Sequence, residues 1–226
     1  MIPKKGNKIL VAGMPQSGST LFCNILDLVL TDSGFGFDCH LYHETKMYKD
    51  VVNKEFLSQA NPEDNILIKE HHYQEYLSEW ADLILICKRD IRDCIASRRR
   101  RGKALFSKGK HLKQSFPTEF DGFRAWCNYL VDDCFIQWED SLDYVFDYES
   151  FKNGSTNVVD DLNSLLGTRS DPDRIMNLVD NLDESTSKFG IRSKVTAGGK
   201  VGNWKSELSE GERRFIEEYC SEWIVE

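Results

Sequence analysis

Four short runs of apolar residues predict the strands of a sheet. They cover residues 8–13, 65–69, 82–88 and 143–147 and are rich in Ile, Leu and Val. Their apolar positions are nearly continuous, without alternating polar ones. This pattern is typical of strands that are buried on both faces of a parallel sheet.

Helical patterns lie between and after these runs. The first covers residues 20–30, where apolar residues recur on one helix face. Ser209 and Glu212 have the spacing of a capping box at the start of the last helix. The other predicted helices cover residues 73–80, 92–103, 119–139, 156–166, 172–182 and 209–223. Because strands alternate with helices, the chain is predicted to be an α/β protein with right-handed crossovers.

Two stretches read as loops, and one has no clear pattern. Residues 185–202 are rich in Ser, Thr, Gly and Lys, and residues 102–116 are basic and interrupted by glycine. Loops of this length are usually functional or disordered. Residues 32–60 give no firm assignment.

Composition bounds the class of protein. The chain has 226 residues and 40% hydrophobic positions, which predicts a single folded domain over residues 1–226. No apolar stretch is long enough to cross a membrane, and the start does not resemble a signal peptide. Seven cysteines without a Cys-x-x-Cys pair favour reduced thiols. We therefore expect a cytoplasmic protein that has no membrane partner.

The charge is unevenly distributed along the chain. A net charge of −8 argues against a general nucleic-acid-binding protein. Residues 88–113 nevertheless carry eleven Lys or Arg residues and two Asp residues. A concentrated basic segment in an acidic protein is directed at an anion or forms a solvated helix face. In the first case it covers the phosphates of a nucleotide or attracts an acidic acceptor.

The first strand leads into a turn with the spacing of a phosphate-binding loop. Gly13 and Gly18 are separated by four residues and are followed by Ser19 and Thr20, which nearly matches the nucleotide P-loop. Ser19 stands where that loop has lysine. Because this lysine reaches the outer phosphates of a triphosphate, the loop suits a ligand with a single phosphate there better. The alternative is a corner whose glycines only permit tight packing.

This loop resembles the 5′-phosphosulfate loop of sulfotransferases, Pro-[Lys/Arg]-Ser-Gly-[Thr/Ser]-Thr. Here it reads Pro15-Gln16-Ser17-Gly18-Ser19-Thr20, with Gln16 replacing the usual cation. The resemblance implies a three-layer P-loop NTPase-like fold, α/β, with a central, mostly parallel sheet flanked by helices. It also implies 3′-phosphoadenosine 5′-phosphosulfate (PAPS) as the donor and the bisphosphate PAP as the product, with no metal. The residues that it places at the 5′-phosphate are Gln16, Ser17, Gly18, Ser19 and Thr20.

Three later segments are similar to further motifs of the same family. Arg89 to Ser97 keep the spacing of the 3′-phosphate segment, although Ile91 replaces its usual proline. Phe146-Asp147-Tyr148-Glu149 resembles the strand end that supplies a tyrosine to the adenine. Gly199-Lys200-Val201-Gly202-Asn203-Trp204-Lys205 resembles the loop that closes over the nucleotide. The resemblance implies binding roles for Arg89, Ser97, Tyr148, Gly198, Gly199, Lys200 and Trp204.

The second strand ends in a candidate catalytic pair. Ile68-Lys69-Glu70-His71-His72 resembles the Lys-x-His of cytosolic sulfotransferases, which implies His71 as the base and Lys69 as a cationic aid. Alternation along an extended strand end puts both side chains on one face. Lys69 then partly replaces the charge missing at Gln16. Glu70 and Glu44 are alternative bases, and the two histidines are alternatively surface residues.

The sequence therefore predicts a PAPS-dependent sulfotransferase that acts on a hydroxyl or amine. The acceptor is a small molecule, a glycan or a peptide. A P-loop kinase and a non-catalytic nucleotide-binding protein are the alternatives. Cys39, His40 and His43 have metal-ligand chemistry but no fourth partner at a usual spacing, so no metal site is predicted.

Overall fold

The fold is described from a computed structural model. The structure describes residues 7–42, 51–100, 118–132, 134–154, 157–182 and 200–224. The candidate loop at 102–116, most of the loop at 185–202, and the residues Gly198, Gly199, His43 and Glu44 lie outside these ranges.

The described strands form one six-stranded sheet in which every neighbouring pair is parallel. The four predicted strands are confirmed to within one residue at their starts, and two more join them at one edge. The spatial order is β3-β2-β4-β1-β5-β6. The strands are β1 (Lys8–Gly13), β2 (Asp38–Tyr42), β3 (Val51–Val52), β4 (Ile66–Lys69), β5 (Leu83–Lys88) and β6 (Tyr144–Asp147).

Helices cover both faces of this sheet, as expected for a three-layer α/β fold. They are α1 (Ser19–Asp32), α2 (Lys54–Gln59), α3 (Glu75–Trp80), α4 (Ile91–Arg100), α5 (Glu119–Asp132), α6 (Tyr148–Lys152), α7 (Asn157–Leu166), α8 (Pro172–Asp180), α9 (Trp204–Glu207) and α10 (Glu210–Tyr219). Two 3₁₀ helices cover Ile136–Ser141 and Ser221–Trp223.

The strand residues supply two separate cores by simple alternation. Leu10, Ile68 and Ile86 pack with α3, α4, α5 and α10 on one face. Ile9 and Val11 pack with α1, α7 and α8 on the other. Because successive side chains of a strand point to opposite faces, a strand covered on both sides is apolar throughout.

Two predicted helices are shorter than the sequence pattern indicates. The helix predicted over 119–139 ends at Asp132, and a 3₁₀ turn follows from Ile136. The helix predicted over 209–223 ends at Tyr219 and also continues as a 3₁₀ turn. In both cases Trp138 and Trp223 are buried on the tighter turn, which keeps the apolar periodicity without an α-helix. The Ser209–Glu212 capping box is confirmed.

The stretch without an assignment contains β2, β3 and α2. β2 reads Asp-Cys-His-Leu-Tyr and lacks a continuous apolar run. It is a strand because its backbone pairs with β4, from Asp38 opposite Ile66 to Leu41 opposite Lys69. The partner strand, not local propensity, therefore determines this element.

Candidate active site

The candidate residues follow directly after the carboxyl ends of four adjacent strands. β1 ends at Gly13, β4 at Lys69, β5 at Lys88 and β6 at Asp147. These strands are neighbours in the sheet, and all run in the same direction. The loop after Gly13, His71, Arg89 and Tyr148 therefore meet at one edge, where open parallel sheets bind their ligands.

The loop between β1 and α1 has a backbone that only particular residues adopt. Gly13 has a φ of 129° and Gly18 a φ of 98°, and Gln16 is the sole non-glycine residue with positive φ among those described. A Cβ at Gly13 would lie 2.7 Å from the carbonyl oxygen of Cys87. A Cβ at Gly18 would lie 2.3 Å from the ring of Tyr148. The two glycines are therefore required by close approach as well as by conformation.

The same loop opens into a helix whose first turn carries no side-chain cap. α1 begins at Ser19 after Gly18, which has no side chain with which to cap the helix, and the described residues show no side-chain cap there. Its first turn contains no acidic residue. The hydroxyl oxygen of Ser17 is fully buried in the loop and has no hydrogen-bond partner among the described residues. Such a helix start, with its uncompensated N–H groups, is suited to hold a phosphate.

Lys69 supplies a positive charge to this loop from the neighbouring strand. Its Nζ donates a hydrogen bond to Oγ1 of Thr20 at 2.7 Å. Thr20 lies in the first turn of α1, so the ammonium group lies beside the helix start. Ser19 and Gln16 bring no charge there. The predicted position of Lys69 beside the loop agrees with this contact.

His71 contacts the same loop from the same strand end. Its Nδ1 lies 2.7 Å from the carbonyl oxygen of Gly13. Because a carbonyl oxygen only accepts, Nδ1 carries the proton in this contact, and in the neutral ring the lone pair is on Nε2. Lys69 and His71 therefore both face the loop, as the strand alternation predicts. His72 instead lies 2.9 Å from the hydroxyl of Tyr129 through its Nε2.

Glu70 is buried, and its side chain binds the backbone of the two histidines that follow it. Its Oε1 accepts hydrogen bonds from the backbone N–H groups of His71 at 2.7 Å and His72 at 3.0 Å. Burial raises the pKa of Glu70 to about 7, against the opposing effect of these bonds. The carboxyl group thus fixes the turn that carries His71, and this use weakens its case as the base.

Arg89 is buried and connects the phosphate loop to the segment that begins at Lys200. Its Nη1 donates to the carbonyl oxygen of Gln16 at 2.9 Å, and its Nη2 donates to that of Lys200 at 3.4 Å. The guanidinium lies 4.4 Å from the ring centre of Tyr148. Arg89 and Tyr148 are each 4% exposed. The structure brings both predicted residues to the phosphate loop, where they contact each other.

Two buried acids, Glu149 and Asp93, had no role assigned from the sequence. Oε1 of Glu149 accepts from the backbone N–H of Asp90 at 3.1 Å and lies 3.9 Å from Nε of Arg89. Burial raises the pKa of Glu149 to about 7. Asp93 accepts hydrogen bonds from the backbone N–H groups of Gly202 and Trp204. Asp93 lies within the segment that resembles the 3′-phosphate motif. Its backbone partners are more than 100 residues away, so the sequence offers no signal that could predict this contact.

The remaining predicted residues are Ser97 on α4, Trp204 at the start of α9, and Lys200, which precedes that helix. Ser97 is half-buried on α4, and Lys200 is exposed. Trp204 is half-buried and stacks on the guanidinium of Arg92 at 3.9 Å. Among the described residues, no group of three or more His, Cys, Asp and Glu side chains could hold a metal ion. No helix within the described ranges is long and apolar enough to cross a membrane.

A family model described as the sulfotransferase domain matches residues 6–226. No curated protein sequence matches the chain significantly.

Solved structures with the same fold include a mouse sulfotransferase, SULT7A1, complexed with PAP. The TM-score is 0.65 at 15% identity, and the match covers 99% of this chain and 86% of that one. Retinol dehydratase with androsterone and PAP gives 0.58 at 13% identity, covering 98% and 81%. Its complex with retinol and PAP gives 0.56 at 14% identity, covering 98% and 82%. At such identities the likeness concerns the fold.

Proposed function

The chain belongs to the sulfotransferase family, and we propose that this site transfers a sulfuryl group from PAPS to a hydroxyl or amine acceptor. The observation that carries the proposal is the convergence of Lys69 and His71 on one phosphate loop, each through a contact of 2.7 Å. Structural relatives were crystallised with PAP, which supports the same nucleotide here.

The residues present fit the 5′ side of this nucleotide. The uncapped start of α1 and the buried Ser17 hydroxyl offer donors that lack partners among the described residues. Ser17, Gly18, Ser19 and Thr20 would hold the 5′-phosphate, with Gln16 at the bend of the loop. When bound, PAPS supplies the activated sulfuryl group and the leaving phosphate.

The 3′ side is assigned to Arg89 and Ser97, and the adenine to Tyr148. A guanidinium fork suits a phosphate, and Arg89 already lies between the loop and Lys200. Because Tyr148 is buried against Gly18, we assign its contact with adenine to the ring edge. Gly198, Gly199, Lys200 and Trp204 would close over the nucleotide.

His71 and Lys69 divide the chemistry between them. The lone pair on Nε2 of His71 takes the proton of the acceptor, while the Gly13 carbonyl holds the opposite side of the ring. The ammonium of Lys69 stabilises negative charge as it develops on the departing phosphate. By analogy with phosphoryl transfer, positioning and electrostatics supply most of the rate.

Calorimetric titration with PAP tests the donor site. Wild type is expected to bind PAP in preference to Mg²⁺-ATP, and Arg89→Ala is expected to lose this binding. Arg174→Ala is the matched control, because Arg174 is a surface residue that pairs with Asp32. A preference for Mg²⁺-ATP would favour the kinase alternative instead.

A sulfuryl-transfer assay against small-molecule, glycan and peptide acceptors tests the catalytic pair. His71→Ala is expected to lower kcat by about 10²–10⁴. His72→Ala is the control, since this neighbour faces Tyr129. Equal losses in the two variants would contradict His71 as the base, and tight PAP binding without turnover would favour a non-catalytic protein.

We also place the protein in the cytoplasm. All seven cysteines are free thiols, which is usual in reducing compartments.

A further inference from the structure

The segment 200–204 is tied to the start of α4 through one buried carboxylate. Oδ2 of Asp93 accepts a hydrogen bond from the backbone N–H of Gly202 at 2.6 Å. Oδ1 of the same residue accepts from the N–H of Trp204 at 3.1 Å. Asp93 is 1% exposed, and the two residues that donate to it, Gly202 and Trp204, are half-buried. A charged acceptor with two backbone donors is among the stronger hydrogen-bond arrangements in proteins.

Two arginines hold the same segment at neighbouring points. The guanidinium of Arg92 stacks on the Trp204 ring at 3.9 Å, and Asp90 fixes Arg92 through a buried ion pair of 2.6 Å. Arg89 bonds to the carbonyl oxygen of Lys200. Residues from the start of α4 and the turn before it therefore contact the segment at three positions.

These contacts hold the segment 200–204 beside Arg89. A segment that is already ordered loses less conformational entropy when it closes on a ligand, so binding is tighter. We propose that Asp93 is a positioning residue, whose carboxylate holds the segment 200–204 in place for the nucleotide. This inference rests on the proposed function, because the nucleotide is taken to be PAPS.

The variant Asp93→Asn tests the role with little change in shape. Its amide retains one acceptor oxygen, but its NH₂ group meets a backbone donor, so one bond is lost. Asp171→Asn is the matched control, because Asp171 also accepts from two backbone N–H groups, those of Asp173 and Arg174, at the start of α8. In Asp93→Asn the Kd for PAP is expected to rise about tenfold. The KM for PAPS should rise with it, while kcat stays within about twofold of wild type.

Limited trypsin digestion without ligand supplies an independent readout. Lys200 and Lys205 are exposed and lie on either side of Gly202 and Trp204, whose backbone N–H groups bind Asp93. Cleavage after them, followed by mass spectrometry, is expected to be faster in Asp93→Asn and unchanged in Asp171→Asn. If Asp93→Asn does not fold, Asp93→Glu keeps the charge but displaces the oxygens, and the same two changes are expected.

The outcomes separate the two proposals. If wild type fails to bind PAP, the proposed function is wrong, while the digestion still shows whether Asp93 holds the segment 200–204. If wild type binds PAP and the folded Asp93 variant has either an unchanged Kd or an unchanged cleavage rate, the positioning role is wrong. A lower kcat together with a lower melting temperature and an unchanged KM would also overturn it, because this combination indicates a merely structural role.

Discussion

The substitution Lys69→Met should remove the cation that β4 supplies to the phosphate loop. The ammonium is 2.7 Å from Oγ1 of Thr20, so a phosphate oxygen held by Thr20 lies about 4 Å from the charge. At that distance and an effective dielectric constant of about 20, the attraction between unit charges is about 4 kcal/mol. Removing one preorganised donor from such a site typically lowers kcat by about 10²–10³.

The assay is the initial rate of sulfuryl transfer at saturating PAPS. Lys69→Met is expected to lose about 10²–10³ in kcat. Lys54→Met serves as the control, because this lysine begins α2 and lies over the ring of Tyr76 on α3. Methionine keeps most of the length of the lysine side chain but removes the ammonium group, so the comparison tests the loss of the charged donor.

A rescue experiment makes the reasoning specific to this chain. Gln16→Lys in the Lys69→Met background places an ammonium on the loop itself, and we expect it to recover at least about tenfold in kcat. The positive φ of residue 16 is equally unfavourable for Gln and Lys, so backbone strain cancels. A kcat for Lys69→Met within about threefold of wild type would refute the argument.

Three further predictions concern stability. Gly18→Ala is expected to lower the free energy of unfolding by about 2 kcal/mol more than Gly34→Ala, measured in denaturant, because both have positive φ but only Gly18 would clash. The raised pKa of Glu149, about 7, means that stability falls as pH rises from about 4.5 to 7. In Glu149→Gln the melting temperature should therefore fall less between pH 4.5 and 7 than in wild type. An equal fall in both proteins would contradict this prediction. Arg99→Ala should destabilise the last helix by about 1–3 kcal/mol by breaking its pair with Glu212, measured by thermal unfolding.

The sequence determined four of the six described strands because their signals are local. Continuous apolar runs located β1, β4, β5 and β6, and a capping box located the start of α10. The phosphate loop was also readable, because its glycines are required by a backbone with positive φ. The one-face placement of Lys69 and His71 followed from the two-residue period of an extended chain.

Only the tertiary structure decided what depends on distant partners. β2 is a strand because β4 offers it a ladder, although its own residues lack the apolar pattern. Arg89 reaches Gln16 and Lys200 through contacts that cross loops far apart in the chain. Asp93 holds Gly202 in the same way. A sequence records which side chains are available, and packing determines which backbone groups they meet, since that choice depends on the whole fold.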